Sequence, residues 1–279
     1  MKKIKRLTLL LWSVFFFVFL PIKPSVFAAA KTNENPYGWE LLSCYTTYFN
    51  QKDGGRCENI AIAGSLIDGI TLQGYGEFSF NGTVGKRTEE AGFKQAKIIV
   101  NGEYVVGVGG GVCQVSTTLY NAALLGGLQI TEFRPHSLLP AYVPPSRDAM
   151  VSSQSDLKIF NPFSHPIHIS VSVGKGSVKV SIFGKDAGYR YAIKEKTTGE
   201  IPPPTPIVKA GEKDGVLREE RAGVKSEAYL ECYKNGALLF RKRLRSDEYR
   251  ALQGIIVKKV ADTTKKMSSN ACFFLRKML

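Results

Sequence analysis

The spacing of apolar residues along the chain predicts most of its helices and strands. Residues 56–70 carry isoleucine, alanine and glycine at helical intervals, which predicts a helix. Three runs in which apolar and polar residues alternate, 157–161, 167–173 and 178–184, are typical of half-buried strands. The polar and aromatic run 43–49 indicates an edge strand. The pattern therefore favours a mixture of helix and strand.

Two Asn-Gly dipeptides predict tight hairpins. Asn101-Gly102 lies within the run KIIVNGEYVV, and Asn235-Gly236 lies within AYLECYKNGALLFRKRL. Both dipeptides are flanked by β-forming residues, and Asn-Gly suits a type I′ turn because both of its residues tolerate positive φ. We therefore expect one hairpin in each half of the chain.

Three consecutive glycines precede a second predicted helix. The run GGGVCQVSTTLYNAALLGG, residues 109–127, has its helical pattern from near Cys113 to the terminating pair Gly126-Gly127. The predicted buried stripe consists of Val115, Leu119 and Ala122. The helix therefore begins directly after the glycines, at a cysteine.

These elements predict an α+β fold. A mixed domain, residues 29–190, would contain the first hairpin, the glycine-rich turn and the cysteine-bearing helix. A proline-rich linker at 191–204 would lead to a small all-β module at 205–260. The basic residues 261–279 would form a loose tail.

The N-terminal residues 1–28 have the pattern of a secretory signal peptide. A basic start is followed by an apolar run of 14 residues, and Val26 and Ala28 fit the −3 and −1 positions of a cleavage site. The run is shorter than the roughly 20 residues of a membrane span. We expect a cleaved leader and a secreted or cell-wall protein; an uncleaved membrane anchor is the alternative.

The chain is basic, and this charge indicates which partners it attracts. Its formal net charge is +14, and loss of the five positive charges of the leader would lower it to +9. A basic exported protein favours anionic wall polymers, peptidoglycan or a membrane surface. The sequence has no phosphate-binding loop, metal-ligand cluster or nucleic-acid signature, so we expect no cofactor, no metal and no nucleic-acid partner.

Five cysteines in an exported chain predict a disulfide. Cys44 and Cys57 are the pair closest in sequence, and a bond between them would contribute about 3 kcal/mol in the chain-entropy model. An odd number of cysteines leaves at least one thiol free. Its context singles out Cys113 as that thiol.

Cys113 is the candidate nucleophile. A helix start carries unpaired amides with partial positive charge, which stabilise a thiolate and can also bind an oxyanion. The alternative is that Cys113 is a small core residue and the glycines serve close packing. His136 is the candidate general base and Asp148 the candidate residue that orients it. His136 could instead be a surface or structural histidine; His165 and His168 more simply belong to a strand.

Several neighbouring residues are candidates for ligand binding. A substrate carboxylate could be bound by Arg147, which could equally pair with Asp148. Polar residues at the helix start would line a pocket or cap the helix. Arg87 and Glu89 are interpreted as a solvated ion pair. The predicted ligand-binding residues are Gly109, Gly110, Gly111, Gln114, Ser116, Thr117 and Arg147.

The chain resembles the VanW family over about residues 44–185. The resemblance lies in GEFSFNGTVGKRTEEAGFKQAKIIVNGEYVVGVGGGVCQVSTTLYNAALLGGLQI, with HSLLPAYVPPSRDAMVS and LKIFNPFSHPIHI after it. That family is named from vancomycin-resistance gene clusters and occurs in exported proteins of Gram-positive bacteria. The resemblance implies a cell-envelope setting and a shared core that includes Cys113, His136 and Asp148. Residues 205–260 resemble the extracellular G-five domain, through KNGALLFRKRL.

Two functional hypotheses follow. The first is a cell-envelope protein that binds peptidoglycan or the cell wall without catalysis. The second is an acyl-transfer enzyme, a hydrolase or transpeptidase of peptidoglycan peptides, in which Cys113 attacks a carbonyl and His136 transfers protons. A short contact between the Cys113 sulfur and a His136 nitrogen would favour the enzyme.

Overall fold

The computed structural model describes residues 38–100, 102–211 and 213–259, which form mainly β-structure with three helices. The elements in chain order are β1 (Glu40–Tyr48), α1 (Gly54–Ile67), β2 (Ile70–Leu72), β3 (Glu77–Ser79), α2 (Phe80–Val84), β4 (Gln95–Val100), β5 (Glu103–Val108), α3 (Val112–Leu125), β6 (Gln129–Glu132), β7 (Lys158–Phe160), β8 (Ile167–Gly174), β9 (Ser177–Gly184), β10 (Tyr189–Ile201), β11 (Ile207–Gly211), β12 (Gly215–Arg218), β13 (Gly223–Lys234), β14 (Ala237–Tyr249) and β15 (Ile255–Lys259). The α+β class is correct in outline, with strand the predominant structure.

The main sheet is antiparallel, in the order β1-β9-β8-β2, and α1 and α3 pack against it. β1 is an edge strand, as the sequence predicts. The predicted apolar stripe of α3 is completely buried, together with the alternate residues Val178, Val180 and Ile182 of β9. This core fixes α3, and therefore its first turn, relative to the sheet.

α1 lies close to β8 because of a glycine. A Cβ on Gly64 would lie 2.8 Å from a methyl group of Val173, which is closer than side chains pack. Asp53 caps the start of α1, where its side chain accepts a hydrogen bond from the Arg56 amide at 3.4 Å. The cap and the close packing hold the N-terminal end of α1 beside that of α3.

Both predicted hairpins are present. β4 and β5 pair in register from Gln95–Val108 to Val100–Glu103, with Asn101 of the turn outside the described residues. β13 and β14 pair from Val224–Tyr249 to Lys234–Ala237, and both Asn235 and Gly236 have positive φ, 51° and 80°. Positive φ at both central residues is the type I′ geometry that Asn-Gly predicts.

The predicted linker at 191–204 is mostly strand. Residues 189–201 form β10, which pairs with β13 over its whole length in the antiparallel sheet β10-β13-β14. Only the proline-rich segment 202–206 has no regular structure. Proline has no backbone N–H to donate to a neighbouring strand, so the segment 202–206 stays outside the sheet. The preceding run YRYAIKEKTTGEI has its N–H groups and forms β10, an outer strand of the sheet β10-β13-β14.

Two smaller sheets complete the described residues. β3-β7-β6 is antiparallel, and β11-β15-β12 combines a parallel pair, β11 with β15, and an antiparallel pair, β12 with β15. No helix in the described ranges is long and apolar enough to cross a membrane. The predicted signal peptide, 1–28, and the basic tail, 261–279, lie outside these ranges.

Candidate active site

The three glycines shape the backbone before Cys113. Gly109 and Gly111 have φ of 86° and 108°, a region that residues with a side chain rarely adopt. A Cβ on Gly110 would lie 2.6 Å from the carbonyl oxygen of Lys97 in β4. The turn therefore needs glycine both for its conformation and for the close approach of the hairpin. Gly111 occupies the N-cap position of α3, so no side chain caps the helix.

One amide at the start of α3 is available to a ligand. The amides of Val112 and Gln114 donate to the carbonyls of Gly109 and Gly111, at 3.1 and 2.9 Å. Within the described ranges, the amide of Cys113 has no acceptor. An unpaired N–H in the first turn of a helix carries partial positive charge and suits an anion.

Cys113, His136 and Asp148 are neighbours at the site. The thiol of Cys113 is close enough to the imidazole of His136 for each to shift the pKa of the other, and its sulfur also lies 3.3 Å from the carbonyl oxygen of Val151. Nδ1 of His136 lies 2.6 Å from Oδ2 of Asp148, which also accepts from the His136 amide at 2.7 Å. The structure thus brings together the three residues that the sequence predicts as catalytic.

Strand β14 holds the far side of Asp148. Tyr249 donates its hydroxyl to Oδ1 at 2.5 Å, and Arg245 contacts the same oxygen at 3.2 Å. Arg245 also donates to the Asp148 carbonyl and, through Nε, to Asp247, each at 2.5 Å. Both residues of the pair are buried, Asp148 completely. Charges therefore alternate from Cys113 through His136, Asp148 and Arg245 to Asp247.

This arrangement favours the charged forms of Cys113 and His136. Burial by itself raises the pKa of the Cys113 thiol, but the hydrogen bond and charge of His136 outweigh it, so the pKa is lowered. Burial lowers the pKa of His136, whereas Asp148 and Cys113 raise it, to about 9. Burial likewise opposes ionisation of Asp148, whose pKa is nevertheless lowered by His136 and Arg245. The pair therefore favours a thiolate on Cys113 and an imidazolium on His136.

The pair opens onto a cavity of about 1120 Å³. Cys113, His136 and the glycine turn line one side, and the β4–β5 hairpin lines another through Lys97, Ile98 and Tyr104. Among the described residues, no group of three or more His, Cys, Asp or Glu side chains is arranged to hold a metal ion.

Residues 55–183 match the model of a protein family described as VanW like protein. This range contains all three members of the Cys-His-Asp arrangement and the glycine turn. The domain is VanW-like.

The chain is also similar to a curated protein. Uncharacterized protein YoaR of Bacillus subtilis (strain 168) is 42% identical to the chain over 148 residues, which is 53% of this chain and 49% of that protein. The chain therefore matches only about half the length of this relative.

A solved structure matches a quarter of the chain. The crystal structure of HP0197-G5 aligns with 25% of this chain and 97% of its own, at 20% identity and a TM-score of 0.14. A score this low carries no argument about the fold. The resemblance of residues 205–260 to G-five domains therefore stays a prediction.

Of the predicted ligand-binding residues, the three glycines and Gln114 line the cavity of the VanW-like domain. The side-chain amide of Gln114 is already fully used: Nε2 donates to Thr47 and to the Tyr48 carbonyl, and Oε1 accepts from Arg56 at 2.7 Å. Gln114 therefore ties α3 to β1 and α1, and its side chain has no donor left for a ligand.

Ser116 and Thr117 neither line the cavity nor cap the helix. Both are completely buried on the side of α3 that faces Ala149. Ser116 donates to the Ala149 carbonyl at 2.6 Å, and Thr117 accepts from the Ala149 amide at 3.0 Å. These hydroxyls fix the segment next to Asp148, so they support the site through its backbone.

Arg147 lies outside the cavity. Its guanidinium bonds Asn121 at 2.8 Å, stacks on the Tyr45 ring and faces Glu195 at 3.8 Å. Neither prediction for Arg147 agrees with this position, because it neither reaches the cavity nor pairs with Asp148. The partner of Asp148 is Arg245.

The expected disulfide between Cys44 and Cys57 is absent; both thiols are free. Cys44 occupies an exposed position of the edge strand β1, opposite Ser181. Cys57 lies in α1, with its thiol towards the Asn50 carbonyl at 3.5 Å. Proximity in sequence does not bring them together, because the turn between β1 and α1 directs the two side chains to different places.

The predicted Arg87–Glu89 pair is also absent. Arg87 donates to Asn81 at 2.5 Å and lines the cavity, whereas Glu89 accepts from Gln95 at 3.0 Å. His165 and His168 lie outside the cavity lining; His168 belongs to β8, as the strand interpretation predicts, whereas His165 lies in the bend before that strand. Arg87 is thus a site residue that the sequence did not indicate.

Sequence reasoning also missed Arg245, Tyr249 and Tyr142. Arg245, Asp247 and Tyr249 alternate along β14 and so point to one face, but Arg245 and Asp247 are charged, so a search for apolar alternation does not find them. Tyr142 lines the cavity; burial and the charge of Cys113 raise its pKa, so its phenol stays a neutral donor.

Proposed function

We propose that this protein is a cysteine-dependent acyl-transfer enzyme of the cell envelope that acts on peptide bonds. The observation that carries the proposal is that Cys113 lies beside His136, which is hydrogen-bonded to Asp148, at the wall of a large cavity. A nucleophile, a base and a residue that orients the base, joined in that order, are the parts that acyl transfer needs.

In the first half of the proposed reaction, the Cys113 thiolate attacks a peptide carbonyl and forms a carbon–sulfur bond. The carbonyl oxygen gains the electron pair of its π bond, and the free amide of Cys113 is positioned to donate to it. His136 then gives its proton to the leaving nitrogen as the carbon–nitrogen bond breaks. The products are an amine and a thioester on Cys113.

In the second half, a water molecule or an acceptor amine attacks the thioester. The neutral His136 takes the proton of this nucleophile, and the thiolate of Cys113 leaves. Water gives hydrolysis and an amine gives transpeptidation. Asp148 keeps Nδ1 of His136 occupied, which leaves Nε2 as the nitrogen that transfers protons in both halves of the proposed reaction.

The envelope setting is supported by the family and by the charge. The chain carries a VanW-like domain and a predicted leader, and its net charge of +14 favours anionic wall polymers. We therefore infer that the substrates are peptides of the cell wall. The alternative is a wall-binding protein that uses the same cavity without chemistry.

The test compares wild type with Cys113→Ala on purified muropeptides, with new amines and new cross-links quantified by mass spectrometry. Cys44→Ala is the matched control, because it removes an exposed thiol outside the cavity. We expect Cys113→Ala to abolish turnover and Cys44→Ala to retain it. Turnover that survives in Cys113→Ala would refute the enzyme, and binding without turnover in the wild type would favour the wall-binding protein.

A further inference from the structure

The cavity beside Cys113 is strongly cationic. Arg56, Lys86, Arg87 and Lys97 line it, and Asp53 is the single acidic residue in its lining within the described ranges. A cavity lined by one sign of charge attracts ligands of the opposite sign. The charges therefore point to an anionic ligand close to the thiol.

Arg87 lies directly against the glycine turn. A Cβ on Gly109 would lie 3.0 Å from the Cβ of Arg87, so the bare backbone lets this arginine approach Cys113. Its guanidinium donates to the neutral oxygen of Asn81. Burial lowers the pKa of Arg87, against the opposing effects of Cys113 and Asp156, which indicates a cation whose charge is only partly compensated.

Arg56 approaches the other end of the same turn. A Cβ on Gly111 would lie 3.0 Å from Cγ of Arg56. Its guanidinium donates to Gln114 at 2.7 Å and lies 5.8 Å from the centre of the Tyr142 ring. Neither Arg56 nor Arg87 forms an ion pair with a carboxylate of the described residues. Each of these arginines has five N–H donors, and only some of them donate to neutral acceptors.

We propose that the cavity binds an acyl substrate that carries a carboxylate, and that Arg56 and Arg87 hold this carboxylate beside Cys113. A peptide with a free C-terminal carboxylate has this chemistry, because the anion lies a few atoms from the last peptide carbonyl. This inference rests on the proposed acyl-transfer function and adds the substrate class. Arginine suits the role because its planar fork matches a carboxylate.

A carboxylate bound beside Cys113 determines which products the reaction gives. Attack of the thiolate on the last peptide carbonyl breaks that carbon–nitrogen bond, and His136 protonates the nitrogen that leaves. The released amine is then a single amino acid that keeps the carboxylate. The acyl part stays on the sulfur until water or an acceptor amine takes it.

Two alkylating reagents test the carboxylate site without a known substrate. Iodoacetamide is neutral and iodoacetate carries a carboxylate, while both alkylate a thiolate with loss of iodide. The rate at Cys113 is measured for each by mass spectrometry of the cysteine peptide. The ratio of the two rates cancels the fraction of thiolate, so it reports the preference for the anion, with free cysteine as reference.

We expect the ratio of iodoacetate to iodoacetamide at Cys113 to exceed that of free cysteine by about tenfold or more. Arg87→Gln and Arg56→Gln should each lower it towards the free-cysteine value, and Arg87→Lys should lower it less. Arg190→Gln is the matched control, because it removes one positive charge outside the cavity. Circular dichroism establishes that each variant is folded.

The outcomes separate this inference from the proposed function. Fast alkylation by iodoacetamide, with a ratio of iodoacetate to iodoacetamide rates equal to that of free cysteine, refutes the carboxylate site. This result remains compatible with Cys113 as a reactive nucleophile. A high ratio that Arg56→Gln and Arg87→Gln leave unchanged refutes the assignment to these arginines. Alkylation of wild-type Cys113 slower than free cysteine with both reagents refutes the reactive thiolate, and the substrate class with it.

Discussion

Asp148 and Arg245 form an ion pair at 3.2 Å in which the two side chains are 0% and 3% exposed. Asp148 lies within the residues that match the VanW-like family model, and Arg245 lies in β14. The other carboxylate oxygen of Asp148 is hydrogen-bonded to His136. β14 is therefore a structural part of the candidate active site.

Replacement of Arg245 by methionine is expected to destabilise the protein severely. It leaves the carboxylates of Asp148 and Asp247 buried without their cation, and loss of one member of a buried pair costs about 3–5 kcal/mol. Urea unfolding measures the loss. In Arg190→Met, which breaks the exposed pair with Asp186, the free energy of unfolding should fall by less than about 1 kcal/mol. Equal losses in the two variants would contradict the assigned role.

Replacement of Asp148 by asparagine is expected to make Cys113 less reactive near neutral pH. The carboxylate raises the pKa of His136, and His136 in turn lowers the pKa of Cys113, so both effects are lost. Each unit by which the Cys113 pKa then rises reduces the thiolate about tenfold below that pKa.

The rate of iodoacetamide alkylation at Cys113 between pH 4 and 10 measures this change. The wild-type rate should fall as the pH falls through the lowered pKa of Cys113, and the Asp148→Asn profile should be displaced to higher pH. Asp186→Asn, at a half-buried carboxylate outside the cavity lining, should keep the wild-type profile. Superimposable profiles for Asp148→Asn and wild type would show that Asp148 does not act through His136.

His136 is expected to make stability depend on pH. Its pKa is raised from 6.5 to about 9 in the folded protein, so the folded state binds this proton more tightly than the unfolded state. The stabilisation is complete below pH 6.5 and is lost as the pH rises through about 9. It amounts to about 3 kcal/mol.

Urea unfolding at pH 6 and pH 9.5 tests this expectation. The wild type should lose more stability between these values than His136→Gln, which lacks the titrating group. His165→Gln is the control, because His165 stacks on Phe163 outside the cavity lining. A His136→Gln variant with the pH dependence of the wild type would show that another group is responsible.

Alanine at Gly110 is expected to displace the β4–β5 hairpin from the turn before Cys113. The added Cβ would meet backbone atoms of Ala96 and Lys97 within 2.8 Å, and overpacking of this kind costs about 1–3 kcal/mol. Gly174→Ala is the matched control, because a Cβ there meets nothing within 4 Å. Thermal unfolding and the alkylation rate at Cys113 report the two effects; a Gly110→Ala variant that matches Gly174→Ala in both would refute the close approach.

Local patterns predicted the elements well because their causes are local. Asn235-Gly236 sets its own turn through positive φ, and the stripe of α3 follows from helical spacing alone. The prediction of a linker at 191–204 was wrong over most of its length because the structure there depends on a contact that is distant in sequence. Whether residues 191–201 form a strand depends on β13, more than 20 residues later, which offers them a partner.

The candidate site was predictable only in part. Cys113, His136 and Asp148 have side chains that suggest chemistry by their type, and the structure brings them together. Arg245 and Tyr249 carry no such signal, and about 100 residues separate them from Asp148. The assignments to Ser116 and Thr117 failed because a pattern of hydroxyls does not say whether they face a cavity or a neighbouring backbone.

The pairing of Asp148 with Arg245 has a consequence for when the thiol becomes reactive. The ribosome makes Cys113, His136 and Asp148 well before it reaches β14. A nascent chain therefore contains these three residues before Arg245, the cation that pairs with Asp148, has been made. The same holds for a chain clipped by a protease ahead of β14. Asp148 therefore acquires its full set of partners only after β14 has been made and packed against it.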